Sequence, residues 1–177
     1  MKFTFYLFSF LFISTNMFLN AQDAKDMKIF KDAEKAKKTL LDNDESLQSF
    51  FDDSAGYVIF PNVGKGGLII GGASGTGVVY QKGDVIGMAD LKKLSIGLQA
   101  GGQAIIEIIF FETETDLERF KEDEFQFAAG ASAVAVKSGI AFNAKYKDGV
   151  AVFALPKAGL MADASVGGQR FEYSPIE

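Results

Sequence analysis

Few side chains in this 177-residue sequence can do chemistry, because it contains no His and no Cys. Ser-His-Asp and Cys-His nucleophilic arrangements are therefore excluded, as are zinc sites built on imidazole or thiolate. Carboxylates and lysines remain. The densest acidic run is Glu112, Glu114, Asp116 and Glu118, and paired carboxylates of this kind can serve as a general acid and its partner in glycoside cleavage. Thr113 and Thr115 interrupt the run, however, and Thr115 through Glu118 has capping-box spacing. Acids at a helix start complement its dipole, so the pattern reads as the beginning of a short helix over 116–121. Glu107 stands apart inside the apolar run Ala104–Phe111. It either faces solvent or a cavity from a strand, or is buried against a lysine. No calcium-loop spacing is present.

Lys65 sits among glycines in Gly64-Lys65-Gly66-Gly67. A phosphate loop needs a glycine five positions before its Gly-Lys pair and a Ser or Thr after it, so that backbone amides cradle phosphate and the hydroxyl meets magnesium. Ile59 and Gly66 occupy those positions, and no helix follows the glycines. Nucleotide binding is therefore not expected. Lys65 reads as an exposed turn lysine, or as a point charge that could meet a lipid phosphate.

A third group of lysines has a clear spacing. On a helical wheel Ile29, Phe30, Ala33, Ala36, Leu40 and Leu41 share an apolar arc of about 140°, while Lys28, Lys31, Lys35 and Lys38 lie roughly opposite. Lys25 borders that stripe, and Lys37 falls on the apolar side. The pattern predicts a helix over 23–41, ended by Asn43 and Asp44, with a short second helix through Leu47, Phe50 and Phe51. A basic amphipathic helix can lie at a membrane surface, with Phe30 or Leu41 reaching the acyl boundary. It can equally pack its apolar face on a domain and leave its lysines in water. One face cannot be buried twice, so a third arrangement keeps that face in the core and offers only the lysines to headgroups.

Lys2 followed by the apolar run Phe3–Ile13 and a small-residue exit at Asn20-Ala21 reads as an export signal over 1–21. An uncleaved N-terminal anchor is the alternative. Without cysteine there is neither a lipid-anchored lipoprotein nor a disulfide framework. The remainder, 22–177, is long enough for one domain with a proper core. Net charge is −5, so long-range attraction to nucleic acid is not expected and any anionic surface must be met by a local patch.

From Gly56 the period of the pattern changes to two. Tyr57–Phe60, Leu68–Ala73, Thr76–Tyr80, Leu94–Ala100 and Gln103–Phe111 read as strands, with Pro61-Asn62 as a turn and Gly83-Asp84 as a break. Phe125–Tyr173 alternates for long runs, including a Lys147-Asp148-Gly149 hairpin turn. Glycines within strands favour bends and close backbone approach. The expected architecture is α+β: a helical front over 23–53 and a β-rich body over 56–174, as a curved antiparallel β-sheet or barrel with an N-terminal amphipathic helix.

Three segments carry a resemblance. YVIFPNVGKGGLIIGGASGTGVVY (57–80), SIGLQAGGQ (95–103) and FFETETDLERF (110–120) together resemble the SYLF domain, a lipid-binding domain of secreted bacterial proteins, over about Ile29 to Glu172. The resemblance implies a non-enzymatic lipid-binding protein that needs no cofactor, is exported to the periplasm or beyond, and contacts anionic phospholipid or a membrane surface through its front region. On that reading Lys28, Lys31, Lys35, Lys38 and Lys65 are the lipid-binding candidates. A protein–protein interaction module of the envelope and a small outer-membrane barrel are the other readings.

Overall fold

The computed structural model describes residues 25–66, 70–96, 103–122, 134–157 and 169–176. The proposed signal segment, Leu68, Gly101-Gly102 and the alternating run around Ala131 lie outside them. A long helix, α1, covers residues 25–43. A 3-10 turn at Glu45–Leu47 leads into the short helix α2, Gln48–Asp53. Four long strands follow: β1 Gly56–Gly66, β2 Ile70–Gln81, β3 Asp84–Ile96 and β4 Gln103–Phe111. Helix α3, Glu114–Lys121, precedes β5 Val134–Ala135, β6 Val150–Pro156 and β7 Gln169–Pro175.

The described strands form one sheet in the order β5-β6-β4-β1-β2-β3-β7. The fold is α+β, as the change of period implies. The sheet is open, which corrects the barrel alternative, and it is mixed, because β5 pairs parallel to β6. Each face carries helices over its own core. On one face Ala33, Ala36 and Leu40 of α1 and Phe50 of α2 cover Tyr57, Ile59, Val78, Tyr80, Ile108, Phe110 and Phe153. On the other, Leu117 and Phe120 of α3 lie with Val58, Phe60, Val79, Ile109, Phe111 and Phe171. Consecutive residues of β1 and β4 thus feed opposite cores, as the two-residue period of a strand requires.

The strand boundaries depart from the sequence reading where physical context overrides local signals. Pro61-Asn62 is not a turn. β1 runs through it, and its register slips by one residue against both β2 and β4. A central strand cannot carry proline without losing a ladder bond, and an extra residue at a bulge removes that conflict. The bulge explains a glycine opposite it: a Cβ on Gly75 would lie 2.7 Å from the Asn62 carbonyl oxygen. Gly77, one pair further along, would place its Cβ 2.7 Å from the Phe60 ring. Thr76–Tyr80 is therefore the second half of a single strand, and Asp84–Lys93, not anticipated as strand, forms most of β3. Residues 136–149 are largely irregular, with a 3-10 turn at Ala141–Asn143. The Lys147-Asp148-Gly149 turn does exist, with positive φ at Asp148 and Gly149, but only a single bridge, Lys147 to Val150, precedes β6.

Candidate functional site

Helix α1 buries the face its periodicity marks. Ala33 and Leu40 are fully buried and Ala36 nearly so, while Ile29, Phe30 and Leu41 are half-buried against the same core. Burying a Leu side chain is worth about 1.5–3 kcal/mol, so this face is committed to the domain. Phe30 and Leu41 accordingly pack in part against this core, as in the arrangement that keeps the apolar face in the domain.

Two polar ties fix the helix in rotation. The Tyr80 hydroxyl donates to Glu34 Oε1 at 3.0 Å, and burial, followed by the charge and hydrogen bond of Glu34, pushes the Tyr80 phenol well above its ordinary range. Lys37 donates to the Tyr57 hydroxyl at 3.1 Å, and its ammonium stands 4.7 Å from the Phe51 ring centroid and 5.3 Å from that of Tyr57. The lysine that looked misplaced on the apolar side is thus an aromatic-held cation, with its stem on the core and its charge over ring faces.

With one side fixed, Lys28, Lys31, Lys35 and Lys38 all emerge exposed on the other. Lys38 pairs with Asp42 at 2.9 Å, an exposed i,i+4 contact of the kind worth about 0.3–0.5 kcal/mol. Among the described residues Lys28, Lys31 and Lys35 form no salt bridge. Lys35 also borders a half-open groove of about 460 Å³ between α1 and strands β4 and β6, where its charged neighbours are Asp32 and Lys157. A second groove, of about 730 Å³, lies at the start of α1 against β3 and β7, and its charged residues are Lys25, Asp26, Asp90 and Glu172. The β6 side of the helix is the more basic of the two.

Lys65 does not join this stripe as a loop residue. It lies in β1, paired with Ala73 on one side and Gln103 on the other, so its placement in a turn is corrected. The acidic run is structural. Thr113 caps α3 by accepting from the Asp116 amide at 3.2 Å, and Asp116 accepts in return from the Thr113 amide at 3.2 Å. Glu114 pairs with Lys82 at 3.3 Å and Glu118 with Lys121 at 2.9 Å. The capping box thus begins two residues before its expected place. Glu107 is buried, on the β4 face it shares with Ile105 and Ile109. Among the described residues no group of three or more acids could hold a metal ion, and no helix is long and apolar enough to cross a membrane.

One residue was read only as a helix end. Asp44, just after α1, is 3% exposed. Its carboxylate accepts from the Ser46 amide at 3.1 Å and hydroxyl at 2.6 Å, from the Gly139 amide at 3.0 Å and from the Ala141 amide at 2.9 Å. Burial alone would raise its pKa, but these hydrogen bonds, led by Ser46, outweigh it and hold the group below its ordinary value. The sequence signal was the Asp44-x-Ser46 pattern of a cap; the partners 95 and 97 positions away carried none.

The chain is 27% identical to Beta cell expansion factor A of Aeromonas veronii over 160 residues. The similarity is distant. The aligned region is 88% of this chain and spans 60% of the length of that curated relative. No family model matches the chain, so the likeness to SYLF domains rests on the three segments that carry it.

Proposed function

We propose that this protein is a non-enzymatic lipid-binding protein of the cell envelope, exported by its N-terminal segment, that contacts anionic phospholipid through the lysine side of α1. The carrying observation is how the helix divides its surface. Its apolar face is spent on the core, while Lys28, Lys31, Lys35 and Lys38 form an exposed stripe opposite. Lysines near an anionic leaflet contribute about 1 kcal/mol each, which offsets the repulsion expected from a net charge of −5. The contact made by α1 is therefore with headgroups and not with acyl chains. The SYLF-like segments support the same ligand class. The name of the Aeromonas relative describes an effect on cells and no chemistry, so it adds neither a substrate nor a partner.

A protein-binding module of the envelope is the second reading, and the exposed Met27, Phe142 and Ile176 favour it. The two separate on pure lipid. Co-sedimentation with vesicles of phosphatidylglycerol and phosphatidylcholine, against phosphatidylcholine alone, yields binding that requires the anionic lipid if the proposal holds. No sedimentation with either vesicle refutes it and leaves the protein-binding reading.

A further inference from the structure

Among the described residues the largest departure from ordinary burial is Phe142, which is 82% exposed. It stands in the middle residue of the 3-10 turn Ala141–Asn143, with Ala141 fully buried before it and Ile140, also exposed, two positions back. An exposed phenylalanine on a loose loop would need no explanation, but this turn is held. The Asp44 carboxylate takes both the Gly139 and Ala141 amides, and the turn closes on itself through the Asn143 amide to the Ile140 carbonyl at 3.2 Å and the Ala144 amide to the Ala141 carbonyl at 3.0 Å. Val136 and Ala141 belong to the core under α1, and Ala144 and Tyr146 pack against it. The segment is therefore anchored at both ends and presents a fixed apolar tip.

Its charge is mainly basic. Between 137 and 147 the ionisable side chains are the exposed Lys137, Lys145 and Lys147 and the Tyr146 phenol; exposed Asp148 follows directly, and Glu112 and Asp53 lie on the Tyr146 side, away from the Phe142 end of the segment in sequence. The segment lies on the same face of the sheet as α1 and is tied to the end of that helix by Asp44. A convex aromatic tip flanked by cations, beside a lysine stripe, has the form of an interfacial anchor: the ring enters the headgroup–acyl boundary while lysines stay with phosphates. We infer that the 137–147 segment is a second membrane contact, in which Phe142 inserts into the interface of an anionic bilayer while Lys137 and Lys145 meet its headgroups. This rests on the lipid-binding reading above and adds the apolar component that α1 lacks.

The chain has no Trp, so Phe142→Trp makes a single fluorescent reporter, and Glu118→Trp on the exposed side of α3, across the sheet, makes its control. Both are titrated with phosphatidylglycerol–phosphatidylcholine vesicles carrying brominated acyl chains, with sedimentation measured in parallel. The inference predicts a blue shift and quenching for the Trp at 142 and neither for the Trp at 118. It also predicts that Phe142→Ala, whose side chain leaves no core contact, weakens partitioning about tenfold. Sedimentation with unquenched, unshifted emission at 142 overturns the insertion, leaves headgroup binding by α1 intact and makes Phe142 a knob for a protein pocket. No sedimentation of either variant or of the parent protein overturns both readings.

Discussion

The Asp44 carboxylate and the Ala141 amide, 97 positions apart, meet at 2.9 Å. That contact joins the end of the lysine-bearing helix to the turn that exposes Phe142, and so couples the two surfaces with which the protein would meet a bilayer. Asp44→Asn keeps the size but loses the charge and one of the acceptor oxygens. It is expected to lower stability by about 1–3 kcal/mol, read by chemical denaturation, with faster amide exchange at Gly139 and Ala141.

The same group sets an acid limit. Its folded pKa lies below the ordinary 3.8, so its contribution is complete above the unfolded value and is lost as pH falls through the folded one. Melting temperatures of the parent and Asp44→Asn proteins should differ at neutral pH and converge below pH 3.8. A constant difference down to the lowest pH would contradict this.

Lys37 separates structure from binding within one helix. Lys37→Ala removes a hydrogen bond and contacts to two rings, so it should cost about 1–2 kcal/mol of stability. Vesicle binding by the folded protein should be unchanged, because this cation faces the core. Lys31→Ala should do the reverse, leaving denaturation within about 0.5 kcal/mol of the parent while weakening binding.

Gly77→Ala tests the close approach beside the Pro61 bulge. The added methyl would meet both the Phe60 ring and, at 2.8 Å, the Ile59 carbonyl, and overpacking of this kind costs about 1–3 kcal/mol. Phe60→Leu in the same background should recover part of that loss.

Tyr146 carries a buried hydroxyl with no hydrogen-bond partner among the described residues. Burial first, and then the nearby Glu112 and Asp53, push its phenol up to about 12. Tyr146→Phe should leave stability at neutral pH unchanged or slightly higher, since it removes an unsatisfied polar atom. Because the folded pKa is raised above 10.0, ionisation costs no stability below pH 10 but increasingly favours the unfolded chain as pH rises towards 12. The variant should therefore unfold less readily across that alkaline window.

The helical front was legible because burial there obeys a single period: the arc of Ile29, Ala33, Ala36 and Leu40 is the face that packs. β4 was legible for a related reason. Its residues 105–111, Glu107 excepted, are apolar on both faces, and both faces are covered. β1 was read too short because proline signals a turn locally, whereas two flanking strands impose a bulge. β3 was missed over Asp84–Lys93 because Gly87, Asp90 and two lysines dilute its alternation, although pairing with β2 and β7 holds it extended. The cap of α3 was misplaced because Thr113 and Thr115 both offer a hydroxyl, and it is Asp116 that reaches back. Of the candidate site, the stripe itself was readable, but Lys65 was not, since its glycine neighbours concealed a strand. The Asp44–Ala141 tie and the fixed exposure of Phe142 arise only from tertiary contact.

The central claim is that the lysine side of α1 binds anionic lipid, and its most direct measurement compares the parent protein with a Lys28→Glu, Lys31→Glu, Lys35→Glu, Lys38→Glu variant. Both are sedimented with phosphatidylglycerol-containing vesicles across a salt series. At about 1 kcal/mol per lysine, charge reversal should reduce partitioning at low salt by about a hundredfold or more, and parent binding should weaken steadily as salt rises. Parent binding that is indifferent to salt and fully retained by the folded variant would contradict the account.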